Sequence, residues 1–139
     1  MINPFKKIMI IEDDSIDRYI LRRSLIKAKI AQEIVEAATG IEALNILTGY
    51  SINKKELPDL IFLDMNMSVL GGFEFLEVLN QLSREYKTRC LVVITTALKN
   101  ASDEKQALLY DNVIGYFEKP LQEQIFLKLR EQLNLTRAF

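Results

Sequence analysis

The sequence predicts an α/β fold in which a parallel sheet is covered by helices on both faces, and three observations lead there. Continuous or near-continuous apolar runs recur at residues 8–11, 60–63 and 90–95, as in strands buried on both sides. Between them lie stretches whose apolar residues recur at helical spacing. Each strong strand ends in polar or charged residues, with turn formers close behind. At 139 residues the chain is long enough for one domain with a sizeable core.

Residues 6–11 form the first strand, after Asn3-Pro4 and before Glu12-Asp13-Asp14. Asp14 or Ser15 can cap a helix to about residue 28, with Ile16, Ile20, Ser24, Leu25 and Ala28 as its inner stripe. Residues 33–37 read as a weak second strand. Thr39-Gly40 opens a helix bearing Ile41, Leu44 and Leu47, ended by Gly49. A polar connection over 50–58, closed by the breaker Pro58-Asp59, leads into the third strand at 60–63. Gly72 starts a helix to about residue 85 carrying Phe73, Leu76, Leu79 and Leu82. The fourth strand is 90–95, a shorter polar helix 101–111, and the fifth strand 113–117. The last helix runs from 120 to about 135, with Pro120 at the first helical position and Leu121, Ile125, Leu129 and Leu133 inward. Five strands alternate with five helices, which calls for a parallel sheet.

Composition removes several function classes. Eighteen basic and 19 acidic residues leave a net charge of −1, so no basic field points to nucleic acid or an anionic membrane. No apolar run approaches a membrane span and no signal-peptide pattern opens the chain, so a cytoplasmic protein is expected. The single cysteine, Cys90, excludes an internal disulfide and reads as a small core residue at the start of a strand. The absence of histidine removes His-based acid–base chemistry, a phosphohistidine role and the usual zinc sites.

The chemistry is concentrated at the carboxyl end of each strand. The first delivers Glu12, Asp13 and Asp14, the third Asp64, the fourth Thr95-Thr96 and the fifth Lys119-Pro120. Parallel strands place these ends along one edge, where open α/β sheets hold their ligands. Taken singly, Asp14 reads as a helix cap, Lys119-Pro120 as a helix start and the threonines as an ordinary strand end. Together they make a site. Two carboxylates about 4 Å apart repel by roughly 4 kcal/mol at an effective dielectric of 20. Such a cluster needs a cation or raised pKa values. With oxygen donors and neither His nor a nearby Cys, Mg²⁺ is the fitting metal, with Mn²⁺ able to substitute. Three carboxylates, one divalent cation and Lys119 sum to zero charge, which leaves room for Asp64 to become an aspartyl phosphate.

These residues resemble the receiver domain of bacterial response regulators, over essentially the whole chain. The likeness rests on Ile11-Glu12-Asp13-Asp14, Leu63-Asp64-Met65-Asn66-Met67, Ile94-Thr95-Thr96-Ala97 and Gly115-Tyr116-Phe117-Glu118-Lys119-Pro120. It implies a flavodoxin-like, doubly wound (βα)5 sheet of order 2-1-3-4-5 in a single three-layer domain. By the same resemblance Asp64 is the phosphoacceptor, and Glu12 and Asp13 are the acidic pair, with Asp13 the more direct metal ligand. Asn66 ligates the metal through its backbone carbonyl, Thr96 is the switch hydroxyl, Tyr116 the switch aromatic and Lys119 the phosphate-binding lysine. On phosphorylation Thr96 is expected to move to a phosphoryl oxygen and vacate space into which Tyr116 turns. Asn66 and Leu98 flank the path of a hydrolytic water and tune the phosphoryl lifetime. The Lys119–Pro120 bond is expected to be cis.

The resemblance further implies a phosphodonor that is a histidine kinase or a histidine phosphotransfer protein. Output passes through the fourth helix, fifth strand and fifth helix, a face that also suits a weak dimer of an otherwise monomeric chain. Residues 5–135 form the receiver, 136–139 a short tail, and no output domain is expected. The chain assists its own phosphorylation but turns over no external substrate. Ser68 stands where proline is usual, Gly71 where an acid is common, and the stretch from Thr96 to Lys119 is one residue longer than in the chemotaxis type. Both loop residues are expected to loosen the segment after Asp64. Two rival readings are a haloacid-dehalogenase-like phosphatase and a receiver-shaped binding module that takes no phosphate. The first lacks its general acid, because Asn66 stands in that place. The second usually lacks one of the groups retained here.

Overall fold

The computed structural model describes residues 5–49, 56–82 and 84–137. Strands β1 (Phe5–Ile11), β2 (Ala31–Ala37), β3 (Leu60–Asp64), β4 (Leu91–Thr96) and β5 (Val113–Glu118) form one sheet of order β2-β1-β3-β4-β5. Every pairing is parallel, and the expected strand order is the one found. The helices are α1 (Ser15–Ala28), α2 (Gly40–Gly49), α3 (Gly72–Leu82), α4 (Arg84–Arg89), α5 (Ala101–Ala107) and α6 (Glu123–Arg137). Among the described residues no helix is long and apolar enough to cross a membrane.

The two-residue period of a strand divides the core. Met9 and Ile11, Ile61 and Leu63, and Val92 and Ile94 face α2 and α3, where Leu47, Phe75, Leu76 and Leu79 meet them. Ile8 and Ile10, Leu60 and Phe62, and Val93 face α1 and α6, packing on Leu25, Phe126 and Leu129. Cys90 is buried, and burial with the charge of Asp59 pushes its thiol up to about 12, as suits an inert core residue. At the sheet end that opens the strands, Lys7 is buried with Nζ 3.3 Å from both Glu33 and Glu56 carboxylates. Beside it Asp59 accepts the Lys6 N–H at 2.8 Å.

Several elements depart from their sequence-based form. The third expected helix is two helices, so the fourth and fifth of the sequence reading are α5 and α6. Tyr86 explains the extra α4: it is buried, and its hydroxyl donates to the Leu47 carbonyl at 3.1 Å. One aromatic anchor in six residues leaves no periodic signal. In α1 the inner face runs through Leu21, Leu25 and Ala28, while Ile16 and Ile20 are exposed. Ile41 and Leu82 are exposed too, and Ala43 and Phe75 take the buried places in their helices. The last helix starts at Glu123 rather than Pro120, because the residues before it form the turn that carries Lys119. The Lys119–Pro120 bond is cis. α5 stops at Ala107, leaving Leu108 and Leu109 exposed in the turn beyond. In β5 the register advances from Val113 to Gly115 while β4 moves from Val92 to Val93, a bulge that absorbs one extra residue. The Leu133 side chain, most of the 50–58 connection and Ala138-Phe139 of the tail lie outside the described residues.

Gly72 fixes how closely α3 approaches the end of β3. A Cβ there would stand 3.0 Å from the Met65 Cα and 3.3 Å from the Asp64 carbonyl oxygen. Backbone cannot step aside as a side chain can. Gly72→Ala should therefore lower stability to urea by about 1–3 kcal/mol. Gly49→Ala, with nothing within 4 Å of its added Cβ, should not lower it. Equal midpoints for Gly72→Ala and the parent would show that the approach is not tight.

Candidate functional site

The strand ends are pinned before any side chain is considered. The Glu12 N–H donates to the Ala37 carbonyl at 3.1 Å, which continues the β1–β2 ladder by one residue. Met65 N–H donates to Thr95 O at 2.9 Å, and Lys119 N–H to Thr96 O at 2.8 Å. Acids from β1 and β3 and the lysine after β5 thus reach one edge at fixed heights. Asp14 does not join them. Its carboxylate accepts the Ile16 and Asp17 N–H groups at 2.9 Å each, capping α1, and those bonds hold its carboxyl below the usual range.

Glu12, Asp13 and Asp64 each place a carboxylate oxygen within 4.8 Å of the other two. Glu12 and Asp64 are buried, whereas Asp13 is exposed and accepts the Ser68 N–H at 3.3 Å. The Lys119 ammonium lies 2.6 Å from Glu12 Oε1, 3.1 Å from Asp64 Oδ1 and 3.2 Å from Asp17 Oδ2. Burial pushes the Glu12 carboxyl up to about 7; Lys119 opposes that rise and Asp64 adds to it. Burial alone would pull Lys119 down, but its bond to Glu12 and the Asp64 charge outweigh it and hold the lysine above its ordinary value. Three clustered carboxylates, all oxygen donors, with one outward-facing member, fit a hard divalent cation such as Mg²⁺.

Thr96 and Tyr116 are buried beside them. The Thr96 hydroxyl donates toward Asn66 Oδ1 and the Leu98 carbonyl, each 3.2 Å away. Asn66 N–H in turn donates to Asp64 Oδ1 at 3.3 Å. Tyr116 is already buried, and its hydroxyl accepts the Asn100 N–H at 3.3 Å beside the cap of α5. In this structure core packing and that hydrogen bond hold the Tyr116 ring inward. Leu98 is 78% exposed at the rim. Gly71 has no positive φ, so the looseness expected of a glycine there is not used in this conformation.

The structure thus gathers Glu12, Asp13, Asp64, Asn66, Thr96 and Lys119, and leaves Leu98 at the margin. Asp17 is the participant that sequence reasoning missed. Its place in the first turn of α1, directly after the acidic run at the end of β1, was the available signal.

A family model described as the response regulator receiver domain matches residues 8–130. The chain is 25% identical to Protein PilH of Pseudomonas aeruginosa over 122 residues, which is 88% of this chain and 92% of that protein. It is 29% identical over 116 residues to hybrid signal transduction histidine kinase A of Dictyostelium discoideum. That match covers 84% of this chain but spans only 5% of the kinase. A solved two component response regulator from Cytophaga hutchinsonii shares the fold at a TM-score of 0.88 and 22% identity, over 96% of this chain and 99% of that one.

Removing the lysine from this cluster leaves buried carboxylates without their cation. Lys119→Met should destabilise the metal-free protein by about 3 kcal/mol in urea unfolding, and added Mg²⁺ should recover part of the loss. An unchanged midpoint in the metal-free variant would mean that the ion pairs are not what holds the site together.

Proposed function

The chain belongs to the response regulator receiver family, and on that premise we propose that Asp64 accepts a phosphoryl group from a histidine kinase or histidine phosphotransfer protein. The observation that carries the reading is the Lys119 ammonium 3.1 Å from Asp64 Oδ1, inside a cluster of three carboxylates. An Asp64 oxygen attacks phosphorus in line. The O–P bond forms as the P–N bond to the donor imidazole breaks, and the imidazole leaves with its electron pair. Lys119 donates to phosphoryl oxygens, and its partly buried setting strengthens that contact. Thr96 gives up its bonds to Asn66 and Leu98 to donate to another oxygen. Glu12, Asp13, Asp64 and the Asn66 backbone carbonyl are the groups that would hold Mg²⁺, or Mn²⁺ in its place. When bound, the cation supplies positive charge against the phosphoryl oxygens.

Release of the Leu98 carbonyl by Thr96 supports a route outward. Leu98 leads into Asn100, which caps α5 and bonds Tyr116, so the segment from β4 to α5 has a reason to shift. Output then passes through α5, β5 and α6 to a protein partner, with the chain a monomer or a weak dimer through that face. Nucleic acid and membrane play no part, and the setting is the cytoplasm. The protein assists its own phosphorylation and loses the group slowly, without turning over an external substrate.

Incubation with a small acyl-phosphate donor should label Asp64 alone, and only with Mg²⁺ present. Asp64→Asn keeps the shape and removes the nucleophile; labelling of that variant at the parent rate would sink the assignment. A further expectation concerns lifetime. Asn66 can hold a water, whereas Leu98, two residues after Thr96 and exposed at the rim, offers it no hydrogen bond. The purified phosphoprotein should therefore decay more slowly than Leu98→Glu. Equal or faster decay of the parent refutes the role given to Leu98.

A further inference from the structure

The contact between Lys119 and Asp17 joins the end of β5 to the first turn of α1, and no motif accounts for it. An ammonium has three N–H donors. Glu12, Asp64 and Asp17 offer one oxygen each at 2.6, 3.1 and 3.2 Å, so the lysine is fully engaged. Asp17 has no other use in the α1 cap: Asp14 receives the Ile16 and Asp17 N–H groups, and the Asp14 N–H donates to Glu12 Oε2 at 3.2 Å. The three partners differ in setting. The Glu12 and Asp64 side chains are 5% and 4% exposed, the Asp17 side chain 41%.

We propose that Asp17 is a positioning residue that holds Lys119 in the resting state and yields it when a phosphoryl group occupies Asp64. The inference rests on the phosphoacceptor reading. An aspartyl phosphate offers Lys119 more oxygens than the carboxylate it replaces, with greater negative charge, while the lysine has no spare donor. Phosphorylation passes the Asp64 contact to the phosphoryl group, and a second phosphoryl oxygen is met only by giving up one more partner. The half-exposed Asp17 pair is screened and weak, whereas breaking the buried Glu12 pair would strand a charge. Asp17 is also a like charge beside the incoming phosphoryl group. It therefore acts as a brake on phosphoryl occupancy, and its release frees the first turn of α1 from β5.

The test compares the parent with Asp17→Asn and Asp17→Glu. One readout is the ¹⁵N ammonium resonance of Lys119 in the metal-free protein, assigned by its loss in Lys119→Arg. The other is the dissociation constant for beryllofluoride at saturating Mg²⁺. Asp17→Asn should broaden and shift the resonance and tighten beryllofluoride roughly two- to fivefold, the range of a half-exposed ion pair. Asp17→Glu should return both toward the parent. A resonance unchanged in Asp17→Asn overturns the hold and leaves Asp17 as an acid at a helix N-terminus. A shifted resonance with unchanged or weaker beryllofluoride binding overturns the exchange. A parent that binds no beryllofluoride overturns the phosphoacceptor reading and the brake with it, and the metal-free resonance still separates that failure from failure of the contact.

Discussion

Too much negative charge in too little space is the constraint on which the rest of the structure depends. Glu12, Asp17 and Asp64 surround one ammonium, Lys119, with Asp13 beside the Glu12 and Asp64 carboxylates, and two of the four acids are buried. Water cannot screen a buried pair well, so the fold must bring a cation to a fixed place. It does so by topology. Placing β1 next to β3 brings acids of two strands together, and the β4–β5 pairing carries Lys119 in from the other side. The backbone bond from Lys119 to Thr96 sets the height at which the ammonium enters. Gly72 lets α3 settle on the end of β3 without displacing Asp64.

The legible part of the molecule was the part that repeats a simple period or carries chemistry at a strand end. Leu60 to Leu63 could hardly be anything but a doubly buried strand, and Asp64 after it stands out against that background. The sheet order came with the resemblance rather than from spacing. Helix faces were read less well, because a stripe of apolar residues is wider than the surface a sheet covers. In α1 that left Ile16 and Ile20 in solvent while Leu21 turned inward. Tyr86 defines α4 by a single tertiary hydrogen bond, a contact no local window contains. Asp17 looked like a routine acid at a helix start, and Lys119, 102 residues away, gives it its partner.

Two hydroxyls near the site divide its connections. Thr96 bonds to Asn66, which bonds to Asp64, and also to the backbone at Leu98. Tyr116 bonds to Asn100, two residues further along the same segment. A short loop is thus held from both sides by groups that accept or donate in more than one direction.

Lys7 and its acids have a consequence for how such a chain can diverge. They close the sheet at the end away from Asp64, and Lys7 lies five residues before Glu12 on the same strand and its extension. At about 3.3 Å per residue the two charged clusters are roughly 17 Å apart, a distance at which an ion pair, its charges nearly cancelling, acts on Asp64 only as a weak dipole. Reversing or deleting an ion pair at the Lys7 end alters how firmly the sheet closes and leaves the electrostatics around Asp64 nearly untouched. Mutational drift can therefore accumulate at one pole while selection acts on the other, and a protein engineer can retune stability there without re-optimising the chemistry.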